Sequence, residues 1–433
     1  MAATVLVVDG GGRAATLVHK YSQSKHVGQL FAVPGNDLIQ INTTKPVRIF
    51  PHLRTTNVKE IIGIAKKGKV DLVDVAQDDA VACGLTDILI KNKIRVFGPT
   101  KASGQIEWDK AWARKFMKKF NLPSPQFKIC KRENEGIKFI NKNPDTKWFV
   151  KASGLAAGKG AIFTRNKKEA ISAVKQMKNF AQSGKTYLVE QCLTGEEFSA
   201  FAAVSNKNFG LIGFAQDHKR VFDGDRGPNT GGMGCSSPPR VITLKVEAQI
   251  KSIFKKTAEG LSRLKRPYLG ILYLGGMVDK KGKVWVIEFN ARWGDPEAEV
   301  ILPSVKNDYF ELVTSLLKGS MHKIKKDNKY RVVVAAASKG YPGDYSKVIG
   351  KKIIGFENLL EKAIVFGAGA QYENKKWKAA GGRLFYVLGE GQNVAQARKM
   401  AYDALSLVDV ACNNLHYRRD IGYRDLERFR KLG

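Results

Sequence analysis

Val284-Trp285-Val286-Ile287-Glu288-Phe289-Asn290-Ala291-Arg292-Trp293-Gly294-Asp295-Pro296-Glu297 reads as an apolar strand that runs into a crowd of polar residues. Residues i and i+2 of a strand face the same side, so Glu288 and Asn290 project together. An oxygen pair of this kind suits Mg2+, which keeps waters and substrate phosphates as its other ligands. One carboxylate and one amide do not separate Mg2+ from Mn2+. Arg292 lies two residues further on, placed to reach the same phosphates and to stabilise charge on a transferring group. The plain alternative is a strand end turned to solvent. So many polar residues crowded onto an otherwise apolar strand argue against it.

Upstream, Lys151-Ala152-Ser153-Gly154-Leu155-Ala156-Ala157-Gly158-Lys159-Gly160 lies between two predicted strands, Trp148–Lys151 and Ala161–Thr164. Small residues let such a loop close over phosphates, with backbone N–H donors at Gly154, Gly158 and Gly160 and with Lys159 balancing charge. It is not a Walker loop: only three residues separate Gly154 from Gly158, and Gly160 stands where Ser or Thr should hold magnesium. A flexible hairpin is the competing reading. Lys151 tips the balance, because it ends an apolar strand where a buried lysine is costly unless it meets an anion.

A further strand, Thr186–Gln191, ends in the carboxylate of Glu190 and a short apolar connector. That suits an adenine and ribose pocket, with backbone groups of Gln191–Leu193 reading the base edge and Glu196 or Glu197 accepting from ribose hydroxyls. Taken alone, the two glutamates read equally as a solvated turn. Gln216-Asp217-His218-Lys219-Arg220 and the glycine- and aspartate-rich run to Gly234 mark a loop, and functional residues concentrate on loops. His218 reads as a hydrogen-bonding or orienting residue rather than a general base.

The first hundred residues alternate strands (Val5–Val8, Leu30–Val33, Arg48–Phe50, Asp71–Val75, Arg95–Phe97) with segments long enough for crossover helices, which predicts a doubly wound parallel sheet. Gly10-Gly11-Gly12-Arg13 after the first strand aims a helix N-terminus at an anion, or is simply a tight turn. Its spacing is not that of a nicotinamide-binding fingerprint. A helical stretch follows from Lys101 to Asn121, then a β-rich region from Glu197 to about Asn290, and a C-terminal part that restarts at Tyr330. The expected organisation is α/β and α+β multidomain: an N-terminal doubly wound domain (1–103), a central unit (104–328, smaller lobe about 122–192) and a small C-terminal domain (329–433).

Hydrophobic residues make up 43%, enough for real cores, and no apolar run approaches the roughly 20 residues of a membrane span. The start of the chain leads straight into a strand and does not read as a signal peptide. Five scattered cysteines without a CxxC pair fit reduced thiols, so a soluble, cytoplasmic protein is expected. The net charge of +33 is spread over the whole length, with no basic arm or aromatic-interleaved motif. It reads as a lysine-rich surface that draws in anionic substrates rather than as a nucleic-acid face.

In this order the pieces resemble the phosphoribosylamine–glycine ligases (glycinamide ribonucleotide synthetases), which are ATP-grasp enzymes. The resemblance extends over nearly the whole chain and is most specific at Gly154–Gly160, Gln216–Gly234, Glu288–Glu297 and Tyr417–Tyr423. It implies a central ATP-grasp fold and a step of purine synthesis, in which ATP, glycine and 5-phosphoribosylamine are the small-molecule substrates. It also implies that Lys110, Lys151 and Lys159 hold phosphates, with the Lys159 loop as a lid. Glu288 and Asn290 would hold Mg2+ or Mn2+, Arg292 would stabilise the phosphoryl and acyl-phosphate species, and Asp217, Arg226 and Asp295 would position substrate.

The N-terminal domain would help to bind phosphoribosylamine through Gly12, Arg13, Asn36 and Asp78. Departures from the family pattern cluster there: Ala14-Ala15-Thr16 after Arg13, Asp37-Leu38 after Asn36, and Ala76-Gln77-Asp78 for Gly-Pro-Glu. Ser153 stands for a usual aspartate. The rival readings are an ATP-grasp ligase with another acceptor amine, and a basic nucleic-acid-binding protein on a degenerate ligase fold. A monomer is the simplest assembly.

Overall fold

Residues 2–156 and 160–432 are described by the computed structural model, the last four by their backbone alone. Strands β1 (Ala3–Asp9), β2 (Val27–Pro34), β3 (Val47–Ile49), β4 (Leu72–Val75) and β5 (Val96–Phe97) form an all-parallel sheet in the order β3-β2-β1-β4-β5. Val5, Leu6, Val7 and Val8 are all fully buried, as in a sheet covered by helices on both faces. Helix α1 (Gly12–Ser22) makes the first crossover. The order reverses beside β1, so the ends of β1 and β4 border a crevice of the kind where ligands bind.

The helical stretch expected from Lys101 divides at Asp109 into Lys101–Trp108 and Lys110–Lys119. Asp109 caps the second helix by accepting from the Trp112 N–H at 3.0 Å, which satisfies a donor that a helix start leaves open. Strands β6 (Phe127–Cys130), β7 (Trp148–Ala152), β8 (Ala161–Thr164) and β9 (Tyr187–Gln191) then form an antiparallel sheet, β6-β9-β7-β8, with a core of its own around Trp148, Val150 and Val189.

The large sheet begins with β10 (Glu196–Ser205) and β11 (Asn208–Asp217). The expected loop after Asp217 contains a short hairpin, β12 (Arg220–Phe222) and β13 (Arg226–Asn229), followed by β14 (Gly234–Ser237). The span read as β-rich is interrupted by a 20-residue helix, Leu244–Arg263, which buries Val246, Ile250, Ile253, Phe254 and Leu261 at helical spacing. Strands β15 (Leu269–Val278), β16 (Val284–Asn290) and β17 (Tyr330–Ser338) complete the path β16-β15-β10-β11-β14-β17, which runs on into Arg383–Gly391 and Ile364–Gly367. The C-terminal region therefore extends the central sheet, and it adds two small two-stranded sheets of its own. One apolar cluster holds Leu17 of α1, Phe201 of β10, Tyr309 and Tyr386 together, so the N-terminal helix is packed onto that sheet.

Candidate active site

The polar end of β16 faces a ring of cations. Burial alone would raise the Glu288 carboxyl, but Lys219, Lys110, Lys151 and Arg292 outweigh it and hold the group below the ordinary carboxylate range. Beside it Asn290 is buried, and its amide Nδ2 has no partner among the described residues. The unmet N–H donor of Asn290 suits an incoming acceptor such as a phosphate oxygen, and the neighbouring ionised Glu288 suits a divalent ion.

Lys151 does not stand free. Its Nζ meets Glu190 Oε2 at 2.6 Å, and Arg114 grips the same carboxylate at 2.5 and 3.0 Å. Burial opposes ionisation of Glu190, yet Arg114 and Lys151 bring it down to about 2. Arg114 also donates to the carbonyls of Val286 at 3.2 Å and Ile287 at 2.6 Å. One buried arginine thus joins the small sheet to β16. Glu190 is thus the shared counter-ion of Lys151 and Arg114.

Ser153 links the glycine-rich loop to the helix headed by Lys110. Its hydroxyl donates to Asp109 at 2.8 Å and accepts from the Ala111 N–H at 2.9 Å, while its carbonyl accepts from the Lys110 N–H at 2.9 Å. Gly154 lies against Ser183 so closely that a Cβ would come within 3.0 Å of its backbone, and Gly160 packs between Ala152 and Ala156. Gly158 and Lys159 lie outside the described residues.

Gln191 is exposed at the end of β9, and Leu193 is half-buried beyond it. Glu196 accepts from Gln216 at 2.8 Å and pairs with Arg428 of the C-terminal helix, whereas the Glu197 side chain is exposed. Burial pushes Asp217 up to about 7, with Lys219 3.7 Å away. His218 is completely buried; burial, with Arg424 and Arg418 nearby, lowers it to about 3. Its Nε2 accepts from the Gly422 N–H at 3.2 Å, so it orients the C-terminal tail as a neutral ring. Arg226 is exposed on the hairpin and donates to the Asp223 carbonyl at 3.0 Å, outside the cation ring.

At the crevice of the parallel sheet, Arg13 is buried and all three guanidinium nitrogens are engaged. They meet Asp9 at 2.8 Å, the Trp293 carbonyl at 2.9 Å and the Gln77 side chain. Gly12 is a true close approach: a Cβ there would stand 2.3 Å from the Tyr386 ring and 2.4 Å from Glu299. Asn36 is likewise spoken for, donating to Gly10 and Gly367 at 3.0 Å and accepting from the Leu38 N–H at 3.1 Å. Asp78 heads the helix Asp78–Cys83, and its charge is felt by Arg292. Asp295 joins the regions, pairing with Arg383 at 3.1 Å, accepting from the Tyr386 hydroxyl and facing the Arg13 N–H. Burial opposes its ionisation, but Arg383 and Arg13 keep it below the usual range.

Sequence reasoning missed Glu107, which pairs with Arg292 at 2.8 Å, and Arg114, both on helices where a charge reads as solvated. Lys219 stood within a motif already quoted, but without a role.

Family models match almost the whole chain in three parts: the N domain of phosphoribosylglycinamide synthetase over residues 3–107, its ATP-grasp (A) domain over 108–298 and its C domain over 331–424. A phosphoribosylamine--glycine ligase of Halalkalibacterium halodurans is 36% identical over 423 residues, covering 96% of both chains. The chain belongs to the phosphoribosylglycinamide synthetase family. The solved phosphoribosylamine--glycine ligase of Thermotoga maritima superposes with a TM-score of 0.82 at 28% identity, over 97% of this chain and all of that one. A biotin carboxylase domain from Hydrogenobacter thermophilus, solved in complex with MgADP, shares the fold alone, with a TM-score of 0.71 at 15% identity over 96% of this chain and 92% of that one. Members of this synthetase family are ATP-grasp carboxylate–amine ligases, and the cation ring around Glu288 is where such chemistry needs positive charge.

Proposed function

We propose that the protein ligates glycine to 5-phosphoribosylamine, driven by ATP, to give glycinamide ribonucleotide, ADP and phosphate. The observation that carries the reading is the convergence of Lys110, Lys151, Lys219 and Arg292 on the Glu288 carboxylate. Phosphoryl transfer asks for positioning and charge neutralisation more than covalent catalysis, and that ring supplies both.

In the first step a glycine carboxylate oxygen attacks the γ-phosphorus and ADP leaves, forming glycyl phosphate. In the second, the phosphoribosylamine nitrogen attacks the acyl carbon, phosphate leaves and the nitrogen gives up a proton. Lys151, aimed by Glu190, and Lys110 hold the phosphates, and Arg292 meets the charge that builds on the transferring group. Glu288 and Asn290 would hold Mg2+ or Mn2+, which would supply positive charge to neutralise the phosphates. Gln191 and Leu193 line the base, with Glu197 and Glu196 near the ribose. By the family resemblance, Lys159 and Gly158 would also serve the phosphates.

On the acceptor side, Arg13, Asn36 and Gly12 act by shaping the crevice, since their polar groups are spent within the protein, and Asp78 and Asp295 border it. Asp217 and Arg226 complete the substrate side from the loop after β11. We read the active unit as a cytoplasmic monomer, with all five cysteines free.

The test is phosphate release from ATP with glycine, with and without freshly generated 5-phosphoribosylamine. Release that needs both, with glycinamide ribonucleotide seen by mass spectrometry and activity lost to a chelator, is expected. Release indifferent to phosphoribosylamine would overturn the acceptor assignment.

A further inference from the structure

Arg292 is held in the site from behind. Its Nη2 pairs with Glu107 Oε1 at 2.8 Å and its Nη1 donates to the Trp293 carbonyl at 3.0 Å. Its Nε is buried and has no partner among the described residues. A planar guanidinium with both terminal nitrogens engaged and one N–H unmet is oriented to give that donor to an incoming oxygen.

The second oxygen of Glu107 accepts from the Ala291 N–H at 2.7 Å. Ala291 stands between Asn290 and Arg292, so one carboxylate grips both the backbone that carries the metal-facing pair and the guanidinium beside it. Glu107 is itself 7% exposed. It sits on the helix Lys101–Trp108, where Gly104 packs so tightly that a Cβ would come 2.3 Å from Val81 Cγ1 and 3.9 Å from the Ala291 Cβ. That helix therefore lies close against the helix Asp78–Cys83 at Gly104, and it leads directly into the helix headed by Lys110.

We propose that Glu107 is a positioning residue for phosphoryl transfer: it fixes Ala291–Arg292 against Glu288 and Asn290 and turns the unmet Nε of Arg292 toward the transferring phosphate. Glu107 touches no substrate and acts through Arg292. This rests on the role given to Arg292 above.

The test uses the full-length enzyme with Glu107→Gln, Glu107→Asp and Arg292→Lys, and with Glu107→Gln and Arg292→Lys combined. The readouts are kcat and the KM values for ATP and glycine. Glu107→Gln keeps the shape but loses the charge on Arg292. Its kcat should fall about 10- to 100-fold, as expected for a misplaced catalytic group, with both KM values little changed. Glu107→Asp, which keeps the charge, should recover part of that loss, and it carries the comparison if the glutamine variant fails to fold. The double variant should be no slower than the slower single one, because both lesions strike one unit. A purely structural role would instead lower the melting temperature and leave kcat per folded molecule unchanged.

The proposal falls if Glu107→Gln keeps kcat within about twofold, if its loss lies wholly in KM, or if the two lesions multiply. Wild-type turnover by Arg292→Lys would overturn the role of Arg292 as well. An impaired Arg292→Lys beside a normal Glu107→Gln would overturn this inference alone.

Discussion

Replacing Glu190 by Gln removes the one carboxylate shared by Arg114 and Lys151 and leaves two cations facing each other in a buried place. The size of the effect follows from the site. Burial works against the charged form of Glu190, but the two cations hold it at about 2 against an ordinary 4.5. At about 1.4 kcal/mol per tenfold change, that gap is worth roughly 3 kcal/mol. Removing one partner from a buried ion pair costs about 3–5 kcal/mol, so two routes agree.

The sign with pH is fixed by the depressed value: the contribution is complete above pH 4.5 and is lost as pH falls towards 2. In a chain of several cores a single melting point mixes events. The assay is therefore hydrogen exchange at the amides of β7 and β9, read as local opening free energies. The wild-type advantage over Glu190→Gln should be about 3 kcal/mol at pH 7 and smaller by about 1 kcal/mol at pH 3.5. The KM for ATP should rise with it, because Lys151 loses its orientation. A difference under about 1 kcal/mol at pH 7, or one indifferent to pH, would refute the idea that Glu190 serves as counter-ion.

Three further outcomes are expected. Glu288→Ala should leave a folded protein whose phosphate release falls at least about a hundredfold; activity near wild type would sink the metal assignment. His218→Gln should leave the shape of the kcat/KM profile between about pH 5.5 and 8 unaltered, because a ring held at about 3 stays neutral there. A limb near pH 6.5 that disappears in the variant would instead mark His218 as a base. Gly12→Ala should destabilise the packing of α1 by about 1–3 kcal/mol, since its Cβ would collide with Tyr386 and Glu299; unchanged hydrogen-exchange protection of the α1 amides would contradict that contact.

What could be read without the structure was whatever repeats locally. The apolar runs at Val5–Val8 and Val284–Asn290 announce strands by their own composition, and the i, i+2 rule places Glu288 and Asn290 together before any fold is known. The assignment of Lys110 needed the family resemblance, since nothing about its neighbours separates it from Lys115 or Lys118. Glu107 and Arg114 stayed hidden for a different reason. Each sits on a helix face whose burial is decided by partners 184 and 76 residues away, and no periodicity in their own segments carries that information. Asn36 and Arg13 were assigned to the acceptor side through the family resemblance. Only the tertiary arrangement shows that Gly367, Gln77 and Trp293 engage them within the protein. The helix Leu244–Arg263 was overlooked because its flanks are strands and its charges mask the stripe of Val246, Ile250 and Phe254.

The run of hydrogen bonds from β14 to β17 decides what can be cut from this protein. A fragment ending at residue 328 would expose the Gly234–Ser237 edge with its backbone groups unpaired, an open template on which a second molecule can add a strand. Such a fragment would not be a smaller enzyme but a seed for aggregation, and the last hundred residues act as the selvedge that keeps the cloth from fraying.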